Sequence, residues 1–184
     1  MNHKRIAQAF NSTGSLWIER IGDDEFLVSD LVIMIKLNAE GYRTFAEKWG
    51  GYSRRLQLPT LMIGDAILYD EEENEYKETS KVIDLPLNTG TKAELTDLSF
   101  KGKPLFVSNR KFGCINPDYL KIFDNVEFGY FANIGALTIV KGDEIIGLIK
   151  PYKLFDKQSS EIINNIKKFE EILNITWQIM FSNI

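Results

Sequence analysis

Histidine and cysteine are the side chains that most often supply nucleophiles, proton shuttles and metal ligands, and this chain has one of each. The 184 residues contain His3, close to the start, and Cys114, between Gly113 and Ile115. A catalytic Ser-His-Asp triad or Cys-His dyad needs a well-positioned histidine. A zinc site needs several Cys and His ligands. Cys114 is typical of a small buried apolar residue. We therefore expect no catalytic residue, no cofactor and no metal site.

Carboxylates are the remaining groups that could do chemistry. An acidic run, Asp-Glu-Glu-Glu-Asn-Glu, spans 70–75. Its carboxylates repel one another and lack the glycine-punctuated spacing of a calcium loop, so we interpret the run as a solvated loop. A divalent-metal site and a DNA-mimicking surface are the alternatives. Because any two acids can meet in a fold, a carboxylate-dependent hydrolase stays open as a third class of function.

The composition is that of a soluble globular chain long enough to bury its own core, with 44% apolar and 26% charged residues. The longest apolar run, 31–35, is far shorter than the roughly 20 residues of a membrane-spanning helix. The basic N-terminus is not followed by the apolar segment of a secretory signal. We therefore expect a cytoplasmic protein with no membrane contact. A net charge of −4 argues against a general nucleic-acid-coating protein but is compatible with a local basic face.

The hydrophobic pattern repeats one order of elements. A helix over 2–11 is followed by three strands that end at 37, and a helix over 116–124 is followed by three strands that end at 149. Asn116 caps the second helix, and Pro117 suits its first position because that amide has no partner. The repeat predicts a pseudo-symmetric α+β domain with an antiparallel sheet and helices on one face.

Two segments fall outside this repeat. An irregular insert spans about 38–104 and carries a helix over 39–49, capped by Asn38, and strands at 66–69, 81–85 and 93–99. Apolar residues at steps of three and four predict a long amphipathic helix over 157–181. We therefore predict one domain over 1–155 and a C-terminal helix within 156–184 that packs on the domain or on a partner. The stripe comprises Ile162, Ile166, Phe169, Leu173, Trp177 and Met180.

The second repeat resembles a known family. The Asn-led helix with Tyr119-Leu120, the turn at 141–143 and the ending Lys150-Pro-Tyr-Lys-Leu154 resemble the last domain of the bacterial replication sliding clamp, the β subunit of DNA polymerase III. The resemblance covers about 40 of the 184 residues. It implies a DNA-clamp fold, in which each domain repeats a helix and three strands.

The chain also departs from that family. A clamp protomer has three such domains, and six close the ring, whereas this chain has room for one. Lys150 replaces the usual Met of the family's Met-Pro-x-Arg-Leu ending, and Lys153 replaces the Arg. The chain then continues for thirty residues beyond that ending.

The resemblance implies two kinds of contact. The family's ending lies beside a pocket for peptides of replication proteins, which would place Pro151, Tyr152 and Leu154 near such a pocket here. The family's inner helices contact DNA phosphates without reading sequence, which would assign that role to Lys4 and Arg5, with Lys121 on the second helix. Further basic candidates are Lys101, Lys103, Arg110 and Lys111, together with Arg54 and Arg55.

We therefore expect a non-enzymatic, clamp-like accessory or binding protein of bacterial or phage DNA replication. It would act through a protein partner or self-association, with DNA contact as an additional role. The alternative is a small regulatory or interaction protein that uses the same fold without touching DNA and dimerises through its C-terminal helix.

Overall fold

Antiparallel strands dominate the part of the chain that the structure describes. The computed structural model describes residues 1–13, 15–50, 60–69, 75–78, 85–108 and 111–152. These residues belong to one unit, Met1–Tyr152, and combine three helices with eleven strands, which confirms the α+β class. The predicted C-terminal helix, 157–181, lies outside the described residues.

The elements follow the predicted order in both repeats. In the first part of the chain they are α1 (His3–Thr13), β1 (Leu16–Arg20), β2 (Glu25–Ser29), β3 (Ile33–Asn38), α2 (Ala39–Gly50), β4 (Ala66–Tyr69) and β5 (Glu75–Glu78). In the second part they are β6 (Thr91–Phe100), β7 (Lys103–Ser108), β8 (Lys111–Cys114), α3 (Pro117–Leu120), β9 (Glu127–Phe131), β10 (Ala136–Lys141) and β11 (Glu144–Ile149).

The two repeats share one sheet. Its strand order is β5-β4-β1-β2-β3-β11-β10-β9-β6-β7-β8, and its neighbours are antiparallel. The meanders β1-β2-β3 and β11-β10-β9 meet where Met34 of β3 pairs with Leu148 of β11. The strand order is the same on both sides of this joint, since β3, β2 and β1 on one side correspond to β11, β10 and β9 on the other. The first helix of each repeat contributes to the same core cluster, with Phe10 from α1 and Tyr119 from α3.

Asparagine caps begin two of the helices, as predicted. The side chain of Asn38 accepts a hydrogen bond from the backbone of Gly41 at 2.8 Å at the start of α2. The side chain of Asn116 accepts one from the backbone of Asp118 at 3.0 Å, and Pro117 is the first residue of α3. Each cap satisfies an amide that has no partner within its helix.

The second helix is shorter than predicted, because α3 ends at Leu120 instead of continuing to 124. The amides of Ile122 and Phe123 donate to carbonyls three residues back, at 3.2 and 3.4 Å. That spacing belongs to tight turns and not to an α-helix. Asn125 then adopts a φ of 54°, a left-handed conformation that stops any continuation.

The segment 38–104 extends the sheet at both of its ends. β4 pairs with β1, and β6 pairs with β9. The strand β5 was not predicted, and it begins at Glu75, the last residue of the acidic run. Of the strand predicted at 81–85, only Leu85 is described, and it lies outside any strand. Residues 70–74, the rest of the acidic run, lie outside the described residues.

Alternating strand residues divide the core between the two faces of the sheet. Ile18 packs with α1, α2 and α3 on one face, whereas Trp17 packs on the other with Leu27, Met34 and Leu148. The helices of the described ranges therefore cover a single face. On the opposite face, Leu85 packs against the Trp17 cluster.

A close backbone contact fixes the segment 85–90 on that second face. The hydroxyl of Thr138 donates to the carbonyl of Thr89 at 2.6 Å. Any Cβ added to Gly129 would collide with the same carbonyl. Gly129 therefore allows this segment to cross the sheet against β9 and β10.

Candidate functional site

The first group of candidate residues lies where α1 meets α3. Lys4 and Arg5 are exposed on α1. The guanidinium of Arg5 donates to the backbone carbonyl of Lys121 at 2.8 Å, and the amide of Asn2 donates to the carbonyl of Ile122 at 2.8 Å. These bonds join the start of the first helix to the end of the second, so Lys4, Arg5 and Lys121 share one surface.

Acidic residues reduce the positive charge of this surface. Lys121 forms an ion pair with Asp118 at 2.7 Å, and the N-terminal ammonium lies 3.9 Å from Asp124. Burial, followed by the nearby N-terminal charge, lowers the pKa of His3 on the same helix, which favours its neutral form. The α1–α3 surface is therefore mixed in charge, and Lys4 is one of its exposed cations.

The second group lies at the turn between β6 and β7. Lys101 occupies this turn with a φ of 50°, and its ammonium lies 5.5 Å from the ring centre of Phe100. The ammonium of Lys103 lies 3.6 Å from the ring centre of Tyr152, a cation–π distance. One candidate DNA contact and one candidate peptide-pocket residue are thus neighbours.

The strand β8 supports the residues expected to line a peptide pocket. The amide of Tyr152 donates to the carbonyl of Cys114 at 2.9 Å. A Cβ added to Gly113 would lie 3.2 Å from Cβ of Pro151 and 2.7 Å from the ring of Phe106, so the glycine permits close packing here. Cys114 is buried, and burial raises the pKa of its thiol. Its burial is that expected of a small apolar residue.

The other candidates from the sequence do not belong to these two groups. Lys111 is the first residue of β8. Arg54, Arg55, Arg110 and Leu154 lie outside the described residues. The structure thus brings together the Lys4–Arg5–Lys121 group and the Lys103–Tyr152 pair.

A buried carboxylate that was not predicted from the sequence lies between the repeats. Asp30 accepts hydrogen bonds from the amides of Val32 and Ile33, at 2.9 and 2.8 Å, and from the hydroxyl of Tyr119 at 2.6 Å. Burial raises the pKa of Asp30, and these hydrogen bonds act in the opposite direction. Burial and the neighbouring Asp30 also raise the pKa of Tyr119. A single acid beside an apolar run was the only sequence signal of this contact.

The same turn holds a leucine in a left-handed conformation. Leu31 has a φ of 69°, and its amide donates to the side-chain oxygen of Ser29 at 2.9 Å. The carbonyl of Val32 accepts from the amide of Lys150 at 2.8 Å. The turn therefore lies directly beside the segment that carries Pro151 and Tyr152.

Across the described ranges, no cluster of three or more His, Cys, Asp or Glu side chains has the arrangement of a metal site. None of the helices in these ranges combines the length and apolar character needed to cross a membrane. Comparison with protein-family models, with curated proteins and with solved structures found no match for this chain.

Proposed function

We propose that this chain is a non-enzymatic, clamp-like accessory or binding protein of bacterial or phage DNA replication. The observation that carries the proposal is the joint between β3 and β11, across which two helix-and-three-strand repeats form one sheet. The sequence resemblance of 116–154 to the last clamp domain supports it independently. Protein contacts are the primary role, and DNA contact is the secondary one.

Native mass is the first measurement for this proposal. Light scattering after size exclusion, at low and moderate salt, distinguishes a ring-sized assembly of about six domains from a monomer or dimer. A ring would make DNA encirclement the working mechanism. A monomer or dimer would mean that no ring forms unaided, and would leave binding to a protein partner as the function to test.

The DNA role is tested by charge reversal at four positions together: K4E, K101E, R110E and K111E. Arg5 and Lys103 are left intact, because Arg5 binds the carbonyl of Lys121 and Lys103 stacks on Tyr152. Binding of a short DNA duplex is measured at several salt concentrations. A plot of log affinity against log salt concentration has a negative slope. Each lost phosphate contact should make that slope shallower by about 0.9.

A matched control separates specific contact from total charge. Reversal of four exposed cations elsewhere, Arg43, Lys48, Lys92 and Lys141, gives the same net charge. The proposal expects the first variant to lose DNA affinity and salt dependence, and the control to retain most of both. Equal behaviour of the two variants, or weak and salt-insensitive binding by the wild type, would remove the DNA role.

The second candidate function is a small regulatory or interaction protein that does not touch DNA. The mixed charge of the α1–α3 surface favours it, because Asp118 already pairs with Lys121. Deletion of 157–184 tests the predicted dimerisation. A clean shift from dimer to monomer would support an interface, whereas loss of solubility would indicate that this segment covers the core.

A further inference from the structure

Two lysines stand at the tip of the β6–β7 hairpin, and each lies over an aromatic ring. The ammonium of Lys103 is 3.6 Å from the ring centre of Tyr152. The ammonium of Lys101 is 5.5 Å from the ring centre of Phe100. Phe100 and Lys103 are cross-strand partners, so their side chains project from the same face of the hairpin. The four side chains therefore form one continuous surface, the lysine–aromatic patch.

Lys101 occupies a turn position that suits another type of residue. Lys101 and Gly102 have φ values of 50° and 74°, the pattern of a type I′ hairpin turn. Asparagine is favoured at the first of these positions, because its short polar side chain tolerates the left-handed conformation. Lys101 is exposed at the tip, so its cation is accessible to a ligand. A lysine here is better explained by its charge than by the requirements of the turn.

The two cations of the patch are available to an anion. None of the ion pairs between residues of the described ranges involves Lys101 or Lys103. An ammonium that lies over a ring keeps N–H groups that can donate to an anionic oxygen. Lys121 of the α1–α3 surface, by contrast, is already paired with Asp118. The patch can therefore bind a polyanion.

The aromatic rings of the patch select among polyanions. Tyr152 is 40% exposed with Lys103 in place, and Phe100 is partly exposed. An unpaired base can stack on such a ring, whereas the bases of a duplex are already stacked on one another. In a single strand each phosphate is accompanied by a base with a flat face. Lysines that alternate with aromatic rings match this repeating chemistry.

We propose that the lysine–aromatic patch binds single-stranded DNA. Lys101 and Lys103 would contact phosphates, and Tyr152 and Phe100 would stack on unpaired bases. The contact would tolerate different sequences, because every base has a face that can stack. The inference rests on the DNA role within the proposed function. It names the form of DNA that is bound, and it assigns Tyr152 to DNA instead of to a peptide pocket.

The test measures binding of labelled DNA to the full chain by fluorescence anisotropy at several salt concentrations. The probes are a dT strand of about 16 nucleotides, an abasic strand of the same length and a duplex of the same length. The abasic strand keeps the phosphates but offers no base to stack. Poly-glutamate serves as a competitor that has negative charge without bases.

Three variants separate the parts of the patch. Tyr152→Leu removes the ring, Tyr152→Phe keeps it, and Lys101→Asn removes a cation while suiting the turn. The control is Lys141→Gln, which removes the same charge from an exposed lysine beside Gly142, a glycine with a φ of 63° in another tight turn.

The dT strand should bind more tightly than either the duplex or the abasic strand. Tyr152→Leu should weaken binding of the dT strand by about fivefold or more, the effect of losing one stacked base, and should leave binding of the abasic strand unchanged. Tyr152→Phe should retain most of the affinity. Lys101→Asn should make the slope of log affinity against log salt concentration shallower by about 0.7, the value for one phosphate contact of a single strand. Lys141→Gln should leave that slope unchanged.

Several outcomes would overturn the inference. Equal affinity for the dT and abasic strands would show that only phosphates are contacted. Unchanged affinity in Tyr152→Leu, or equal effects of Lys101→Asn and Lys141→Gln, would place the binding elsewhere. Displacement of the dT strand by poly-glutamate at equal charge would make the patch a surface for acidic proteins.

Failure of this inference is distinguishable from failure of the proposed function. Lys101→Asn and the abasic strand test the patch even if Tyr152→Leu does not fold. If the duplex binds and the dT strand is not preferred, only the inference fails. If neither form of DNA binds, the DNA role fails with it, and native mass still tests the role in protein contacts.

Discussion

The hydroxyl of Tyr119 donates a 2.6 Å hydrogen bond to the carboxylate of Asp30, and both residues are buried. Tyr119 belongs to α3 of the second repeat, and Asp30 follows β2 of the first. The bond thus links the two repeats outside their shared sheet. The same carboxylate accepts hydrogen bonds from the amides of Val32 and Ile33, so one buried group holds both the contact between the repeats and the turn between β2 and β3.

Removal of the Tyr119 hydroxyl should destabilise the protein. Tyr119→Phe leaves a buried carboxylate with one partner fewer, and we expect a loss of about 1–3 kcal/mol in the free energy of unfolding. Chemical denaturation measures this loss. Tyr152→Phe is the control, because Tyr152 is 40% exposed, and it should change stability by less than about 0.5 kcal/mol. Equal effects of the two substitutions would show that the buried bond does not stabilise the fold.

The raised pKa of Asp30 predicts a definite pH dependence. Between its ordinary pKa of 3.8 and its higher folded value, the native state binds more protons than the unfolded state. The stability contributed by Asp30 is therefore fully present below pH 3.8 and is lost as the pH rises through the folded pKa. Asp30→Asn removes this titration while keeping an acceptor oxygen.

The measurement is the difference in unfolding free energy between wild type and Asp30→Asn at several pH values. Other titrating groups cancel in this difference. It should favour the wild type most at acidic pH and decrease as the pH rises above 3.8. A difference that grows with pH would mean that the hydrogen bonds outweigh burial and that the folded pKa is lowered.

Gly129 should not tolerate a side chain. A Cβ at this position would collide with the carbonyl of Thr89, so the segment that crosses β9 and β10 would have to shift. We expect Gly129→Ala to cost about 1–3 kcal/mol, as overpacking does elsewhere. Gly22→Ala is the matched control, because its nearest contact would be an ordinary 3.5 Å to Glu25. The melting temperatures of both variants test this prediction. If Gly129→Ala is as stable as the wild type, the segment 85–90 does not cross β9 and β10 as closely as described.

Local signals in the sequence predicted much of the fold. Asn38 and Asn116 mark helix starts because a cap uses only neighbouring residues. The two repeats were visible because strand alternation and helix periodicity are also local. The predicted end of α3 was wrong. The spacing of Tyr119, Leu120 and Phe123 fits a continuous helix, but it also fits one helical turn followed by tight turns. The strand β5 was missed because three of its four residues are Glu or Lys, which are depleted in strands.

Contacts between distant residues could not be predicted in this way. Asp30 and Tyr119 are 89 positions apart, and neither position carries a motif. Lys103 was a candidate for DNA contact, but its sequence context does not reveal that it lies over Tyr152. The left-handed conformation of Leu31 contradicts its residue type, so only the folded backbone reveals it.

Lys36 should contribute more to stability than an ordinary surface lysine. Its ammonium lies 2.7 Å from the carboxylates of both Glu25 and Glu144, which joins β2, β3 and β11, and these hydrogen bonds raise its pKa. We expect Lys36→Met to cost up to about 1 kcal/mol at low salt and less at high salt. Lys92→Met removes a fully exposed pair with Glu94 and should cost almost nothing. Denaturant unfolding at two salt concentrations compares them, and equal losses would contradict the bridging role.

The backbone conformation of Leu31 should cost the protein some stability. Asparagine tolerates the left-handed region better than leucine does, so Leu31→Asn should stabilise the fold by up to about 1 kcal/mol. For a chain of this length that is a rise of roughly 2–4 °C in melting temperature.

Leu95→Asn provides the contrast. Leu95 is also an exposed apolar residue, at 41%, but it lies in the strand β6, where asparagine is disfavoured. It should therefore lose stability where Leu31→Asn gains it. A gain at Leu31 would show that the left-handed conformation of a leucine costs stability here. A loss at Leu31 would show that contacts of its side chain stabilise the protein by more than its backbone conformation costs.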